Sequence, residues 1–320
     1  MNLPRRKALF SSCGGANLFV ILPIKPYYDM TIFKPYALQL RDRELKIDRP
    51  LIMGIVNVTP DSFYAGSRCD NGDKVAQCVQ RIVDEGGDII DIGGYSTHPG
   101  ASEVTEEEEY ARVKHGVEIV KRIAPHATTS VDTFRANVAQ KAVEELGVDI
   151  VNDVAGGTLD SLMFKTVARL QVPYIVMHMR GTPATMQQLT HYERGVTTEV
   201  VENLARKIES LRDMGVTQVI SDPGFGFSKT VEQNYELMNH LEQFHQLGVP
   251  LLVGISRKAM IYRLLGITPA EALNGTTALN TMALLKGAHI LRVHDVRQAV
   301  EARAIVEATS GTSHSSTANP

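Results

Sequence analysis

The chain has 320 residues, 43% of them hydrophobic, and 33 Lys and Arg against 36 Asp and Glu, for a formal net charge of -3. That is ample apolar material for a full core, and the near balance of charge gives no global basic field for nucleic acid or an anionic membrane, so any anion site must be local. No apolar run reaches the roughly 18 to 20 residues that span a bilayer, and the three cysteines, Cys13, Cys69 and Cys78, lack metal-ligand spacing, which suits a reducing, cytoplasmic setting.

In chain order, residues 1–29 set Arg5, Arg6 and Lys7 ahead of an apolar run that Pro23 interrupts, a weak targeting pattern. The alternative is that Met30 is the native start and 1–29 an extension. Residues 30–50 read as a lead-in. From Leu51 a short apolar run, a polar or glycine-containing loop and an amphipathic stretch recur eight times. The strand-like runs are 51–58, 88–93, 128–132, 149–153, 173–178, 218–222, 250–256 and 289–293. Most are apolar on both faces, as parallel strands are when helices cover one side and packed side chains the other. The clearest helix follows Thr105, a candidate N-cap, with Glu106 to Glu109 in its first turn, where the helix dipole favours carboxylates. That acidic run is therefore structural. The end, 308–320, is small and polar and reads as a disordered tail.

Eight β/α units over about 250 residues predict an α/β fold, a single (β/α)8 TIM barrel spanning 51–307, with functional residues where strands give way to loops. A doubly wound open sheet is the alternative. The polar residues at the strand ends are Asn57, Asp91, Thr97, His98, Asp132, Asn152, His178, Asp222, Ser256, Lys258, Arg292, His294 and Asp295. Any one of them could cap the following helix. Capping does not explain such residues at all eight ends, with Lys, Arg and His among them.

Seven motifs carry a resemblance: "GIVNVTPDSF" (54–63), "DIGGYSTHPGA" (91–101), "SVDT" (130–133), "VND" (151–153), "DPGFGF" (222–227), "SRK" (256–258) and "RVHDV" (292–296). With these in register, the chain resembles the dihydropteroate synthases, pterin-binding enzymes of folate biosynthesis, from about Leu51 to Ile305. The resemblance implies a transferase reaction in which p-aminobenzoate displaces pyrophosphate from 6-hydroxymethyl-7,8-dihydropterin diphosphate to give 7,8-dihydropteroate. It implies that Asp132, Asn152, Asp222 and Lys258 bind the pterin, a mixture that also suits a ring edge with N–H donors beside a carbonyl acceptor. It assigns the diphosphate to Asn57, Thr97, His98, Arg292 and His294, with Mg²⁺ near Asn57. Phe63, Pro99, Ser256 and Lys258 would meet p-aminobenzoate. No classical acid or base is implied; the loop residues Asp61, Phe63, Thr97 and His98 would act by closing over the site and excluding water. His178 is as readily structural as catalytic. The expected partners are small-molecule substrates and a second copy in a homodimer, without nucleic acid or membrane.

Three positions depart from the family pattern. Ala65 stands where aspartate is usual, His98 where the common motif has arginine, and Ala259 where serine is common. These leave two meanings open: a working synthase with an altered p-aminobenzoate side and altered sulfonamide sensitivity, or a pterin-binding paralogue without synthase activity. A methyltetrahydrofolate–corrinoid methyltransferase-like barrel is a further alternative, against which Arg292 and His294 argue.

Overall fold

Each of the eight apolar runs contains a strand in the computed structural model, which describes residues 33–58, 72–95 and 104–309. A short antiparallel hairpin, β1 (Tyr36–Gln39) and β2 (Glu44–Ile47), comes first. Then follow β3 (Leu51–Asn57), β4 (Ile89–Gly93), β5 (Thr128–Asp132), β6 (Ile150–Asp153), β7 (Tyr174–Met177), β8 (Val219–Asp222), β9 (Leu252–Val253) and β10 (Ile290–Val293). These eight are parallel neighbours in the order β8-β7-β6-β5-β4-β3-β10-β9. The ring closes between β8 and β9 through a Ser221–Leu251 bridge and a 2.9 Å bond from the Ser221 N–H to the Pro250 carbonyl. The sheet is therefore a barrel and not a doubly wound open sheet.

The helices are α1 (Gly72–Asp84), α2 (Glu106–Ile123), α3 (Ala136–Glu144), α4 (Met163–Leu170), α5 (Val196–Asp213), α6 (Val231–Asn239), α7 (Ala259–Leu265), α8 (Leu273–Leu285) and α9 (Val296–Thr309). No helix among the described residues is long and apolar enough to cross a membrane. Thr105 caps α2 as its sequence suggests, its hydroxyl accepting the Glu108 N–H at 3.2 Å. Glu109 of the acidic run is fully buried and pairs with Arg135 at 2.6 Å, joining α2 to the segment after β5.

The two-residue alternation of strands sorts the side chains into layers. Ile52, Ile90, Val131, Val151, Val176, Val253 and Leu291 face outward into the helix layer. Met53, Ile89, Ile150, Ile175, Ile220, Leu252 and Ile290 face inward, where Leu38, Leu40 and Ile47 from the hairpin segment pack against them. The lead-in thus plugs the lower end of the barrel. Each such aliphatic side chain contributes about 1.5–3 kcal/mol by leaving water. Two residues further along the same strands, the inward positions become Ile55, Asp91, Asn152, Met177, Asp222, Gly254 and Arg292, four of the seven polar or charged. Alternation alone therefore stacks a polar layer on an apolar one.

Asp88, at the foot of β4, binds the lead-in and α9 together, accepting from Arg49 and from Arg303, both at 2.7 Å. Strand β9 is shorter than the run 250–256 that predicts it. Pro250 has no N–H for the ladder, and the Lys258 N–H turns back to the Ile255 carbonyl at 3.1 Å. The expected extension 1–29, nearly all of the loop 59–72 and of the loop 95–101, and the tail from 310 lie outside the described residues. Helix α9 runs to Thr309, whose hydroxyl donates to the Val306 carbonyl at 2.8 Å.

Candidate active site

The upper layer draws side chains from six strand ends, four of them joined by side-chain hydrogen bonds. Arg292 on β10 reaches across the barrel, its Nε donating to Asp91 Oδ2 at 2.7 Å and its Nη2 to Asp132 Oδ2 at 2.5 Å. Asn152 Nδ2 donates to the same Asp91 oxygen at 3.1 Å. Burial works to lower the Arg292 pKa, but Asp91 and Asp132 outweigh it, so the guanidinium is held more firmly protonated than usual. For Asp132 burial dominates and raises the pKa to about 7, with Arg292 pulling the other way and Asp91, Glu109 and Asp153 adding to the rise.

Lys258 and Asp222 form the opposite wall. Lys258 Nζ donates to the Phe225 carbonyl at 2.6 Å and lies 4.8 Å from the centre of the Phe227 ring. Burial lowers its pKa to about 8, while Asp222 acts to raise it. Asp222 is itself raised by burial, against the opposing effects of Lys258 and of the Gly224 N–H bonded to its Oδ1 at 2.8 Å. Two inward glycines leave the space between these groups. A Cβ on Gly93 would stand 3.5 Å from Asn57 Oδ1 and 3.6 Å from Asp132 Cβ. On Gly254 it would lie 3.8 Å from Arg292 Cβ and 3.9 Å from Lys258 Nζ. Neither methyl would clash, but each would project among the charged groups.

The motifs "SRK" and "RVHDV" prove to be one interlocked unit. Arg257 makes two 2.9 Å bonds to Asp295, from Nε and from Nη2. It also donates to the Pro269 carbonyl at 2.9 Å and to the Ala270 carbonyl at 2.6 Å. Its φ of 55° places it in the left-handed region, a strained backbone that this many bonds can hold. The clamp sets its neighbours. Ser256 Oγ accepts the His294 backbone N–H at 3.2 Å and lies 3.0 Å from His294 Nδ1, so it can donate its hydroxyl hydrogen there. That leaves the proton of a neutral ring on Nε2. Burial, then Arg292, lowers the His294 pKa to about 4, so at neutral pH the ring is a weak base and a neutral donor. The close Ser256–His294 contact is therefore an orienting bond and not a nucleophile activated by a base.

The structure thus brings together Asn57, Asp132, Asn152, Asp222, Lys258, Arg292, His294 and Ser256 at one end of the barrel. It directs the Ser256 hydroxyl to His294 instead of leaving it open to p-aminobenzoate, and it folds Arg292 onto two carboxylates. Asp61, Phe63, Ala65, Thr97, His98 and Pro99 lie outside the described residues. Ala259 is the first residue of α7, directly after Lys258 at its N-cap. His178 is buried, and its Nδ1 sits 3.0 Å from Lys229 Nζ, which also donates to the Gly224 and Phe227 carbonyls at 2.9 Å each. Burial, then Lys229, depresses the His178 pKa far below the usual range. That is a structural role, tying β7 to the "DPGFGFSK" segment. Sequence reasoning missed Lys229, although it closes that segment, and gave Asp91 no part beyond its place at a strand end.

The family model of pterin binding enzymes matches residues 53–294. The dihydropteroate synthase of Escherichia coli (strain K12) is 39% identical over 269 residues, covering 83% of this chain and 93% of that protein. Among solved structures, Yersinia pestis dihydropteroate synthase with a sulfonamide drug complex matches with a TM-score of 0.81 at 38% identity, covering 87% of this chain and 100% of that one. The Xanthomonas albilineans dihydropteroate synthase with 4-aminobenzoic acid matches with a TM-score of 0.77 at 37% identity, covering 90% and 100%. The chain belongs to the family of pterin binding enzymes. Within it, sequence and fold both place the chain with the dihydropteroate synthases, which are transferases, and favour that reading over the corrinoid methyltransferase alternative.

Proposed function

We propose that the protein joins the amine of p-aminobenzoate to the methylene carbon of 6-hydroxymethyl-7,8-dihydropterin diphosphate, forming 7,8-dihydropteroate and releasing pyrophosphate. The observation that carries this is the polar layer itself, in which acceptors and cations face one another around Gly93 and Gly254. Asp132, Asn152 and Asp222 offer acceptors to the pterin N–H edge, and Lys258 a donor to its carbonyl. Arg292, a permanent cation, and His294, a neutral Nε2–H donor, hold the diphosphate together with Asn57, a role the family resemblance gives to Thr97 and His98 as well.

Among the described residues, no cluster of three or more His, Cys, Asp or Glu is set for a metal ion. The expected ligand, Asn57, is a neutral amide. Such a donor set suits Mg²⁺ that takes most of its ligands from diphosphate oxygens and water, with Asn57 adding one oxygen, and the ion would neutralise charge on the leaving group. The amine brings its own lone pair, so the protein supplies position and exclusion of water. Pyrophosphate departs first, the electron-rich pterin bears the developing cation, and nitrogen then attacks. By the family resemblance, the p-aminobenzoate side falls to Phe63, Pro99 and Lys258. Ser256 we reassign to orienting His294.

We also infer a cytoplasmic enzyme, in keeping with its odd cysteine count, and a homodimer. Leu264 and Leu265 of α7, Met282 and Leu285 of α8 and Ile305 of α9 are all exposed, by 39% to 63%, on neighbouring helices. The test of the reaction is a coupled pyrophosphate assay with Mg²⁺. We expect release only when pterin diphosphate and p-aminobenzoate are both present; pterin binding without release would overturn the reading in favour of a non-catalytic pterin-binding module.

A further inference from the structure

We propose that Asp91 is a positioning residue of this site, which sets Arg292 for the diphosphate and Asn152 for the pterin without touching either substrate. The proposal rests on the substrate reading above. Asp91 is 0% exposed and, in strand register, lies two residues below the level of Gly93 and Asp132. A single oxygen, Oδ2, accepts both from Arg292 Nε at 2.7 Å and from Asn152 Nδ2 at 3.1 Å.

Both bonds fix orientation. Nε is the guanidinium nitrogen nearest the chain, so holding it sets the plane of the fork; Nη2 then meets Asp132, and among the described residues Nη1 makes no hydrogen bond. For Asn152, a carboxylate can only accept, so the amide must turn its NH2 to Asp91 and its carbonyl oxygen away, as an acceptor for a pterin N–H. One buried acid on β4 thereby sets two substrate-facing side chains, on β6 and β10. Asp153 shows how a purely structural acid of this barrel looks. Its oxygens are taken up by the Ala155 and Gly157 N–H groups and the Tyr174 hydroxyl at 2.7–2.8 Å. Asp91 instead spends Oδ2 on two site residues, while its Oδ1, like the hydroxyl of its in-register neighbour Ser130, has no hydrogen-bond partner among the described residues.

The sign of the effect separates positioning from simple charge. A carboxylate near an anionic diphosphate repels it, so by charge alone the loss of Asp91 should tighten anion binding. If Asp91 positions Arg292, its loss should weaken it. The experiment measures binding of inorganic pyrophosphate with Mg²⁺, and separately of 6-hydroxymethylpterin, to the parent, Asp91→Asn, Asp91→Ala, Arg292→Ala and the double variant Asp91→Ala/Arg292→Ala. We expect Arg292→Ala and each Asp91 variant to weaken pyrophosphate binding about tenfold or more, and the double variant to lie within about twofold of Arg292→Ala, because groups that act as a unit do not add. Pterin affinity should fall in the Asp91 variants as well. Circular dichroism and thermal midpoints establish that the variants fold; Asp91→Asn, which keeps the volume and one acceptor, carries the test where Asp91→Ala does not. If Arg292→Ala left pyrophosphate affinity unchanged, the substrate reading would fail. If Arg292→Ala weakened it while the Asp91 variants were neutral, bound more tightly or added their full cost, positioning by Asp91 would be overturned and the substrate reading would stand.

Discussion

Replacing Asp132 with asparagine should remove the acid limb of pterin binding. Asp132 titrates near pH 7 because burial disfavours its charge, and Lys258 near pH 8 because burial disfavours that one. Binding through an ionised Asp132 and a protonated Lys258 then draws on a fraction of about 0.6 at pH 7.5 and about 0.1 at pH 6 and pH 9, and apparent affinity scales with that fraction. The parent should thus bind 6-hydroxymethylpterin best near pH 7.5 and about sixfold more weakly at either extreme. In Asp132→Asn the loss between pH 7.5 and pH 6 should vanish, the fraction set by Lys258 alone rising about 1.3-fold, while the alkaline limb of Lys258 persists. At pH 7.5 the variant should also bind roughly 10- to 150-fold more weakly, the cost of about 1.5–3 kcal/mol for losing a charged acceptor. Folding should tolerate the change. A carboxyl whose folded pKa lies above its unfolded value of 3.8 gives stability that is fully present below pH 3.8 and lost as pH rises through about 7, so the neutral amide imitates its favoured form. Isothermal titration calorimetry at pH 6, 7.5 and 9 measures this, and titration of the ligand cancels between the two proteins. A residual acid limb at a lower midpoint would belong to Asp222; one that superimposes on the parent's would refute the assignment.

Two more outcomes follow from packing. Gly93→Ala should fold, since the added methyl meets only ordinary contacts, yet it should weaken binding of 6-hydroxymethylpterin about tenfold by standing between Asn57 and Asp132; unchanged affinity in a titration would show that the ligand does not enter there. The combined variant Leu285→Glu/Ile305→Glu should sediment at the 35.1 kDa mass of one chain while the parent sediments at twice that value, and equal masses for the two would exclude this face as the dimer contact.

The barrel was legible because its strands are apolar on both sides and recur between amphipathic stretches, a pattern that few other folds require. The hairpin was not. "YALQ" and "ELKI" are four residues each, half exposed, and become recognisable only once Leu38 and Ile47 are seen closing the lower end of the barrel. The strand ends likewise marked where chemistry would gather, because alternation carries every second residue inward. Which of those residues bond one another depends on the stagger between strands and on barrel closure, which no local pattern encodes. Hence Arg292 could be assigned to an anion from sequence, but not its pairing with Asp91 and Asp132. Gly93 and Gly254 passed unnoticed because what they contribute is space.

The charges of this layer explain why it can accept its substrate at all. Among the described residues, Asp91, Asp132 and Asp222 face Arg292 and Lys258 as substrate-facing cations, and His294, lowered to about pH 4, adds none at neutral pH. Fully ionised, the set is already negative, and a diphosphate adds several more negative charges in a place where burial weakens solvent screening. Binding must therefore bring in positive charge or remove negative charge. Mg²⁺, were it to arrive with the diphosphate as proposed, would do the first, and among the described residues no dedicated cluster of acidic ligands is set for it. Asp132, poised near pH 7, can do the second by taking up a proton, which costs little folding energy but weakens its grip on the pterin. Once pyrophosphate leaves, that demand disappears, and the same carboxylate is free to ionise against the pterin that carries the developing positive charge. A buried acid held between two charge states thus answers both to the anion that departs and to the cation it leaves behind.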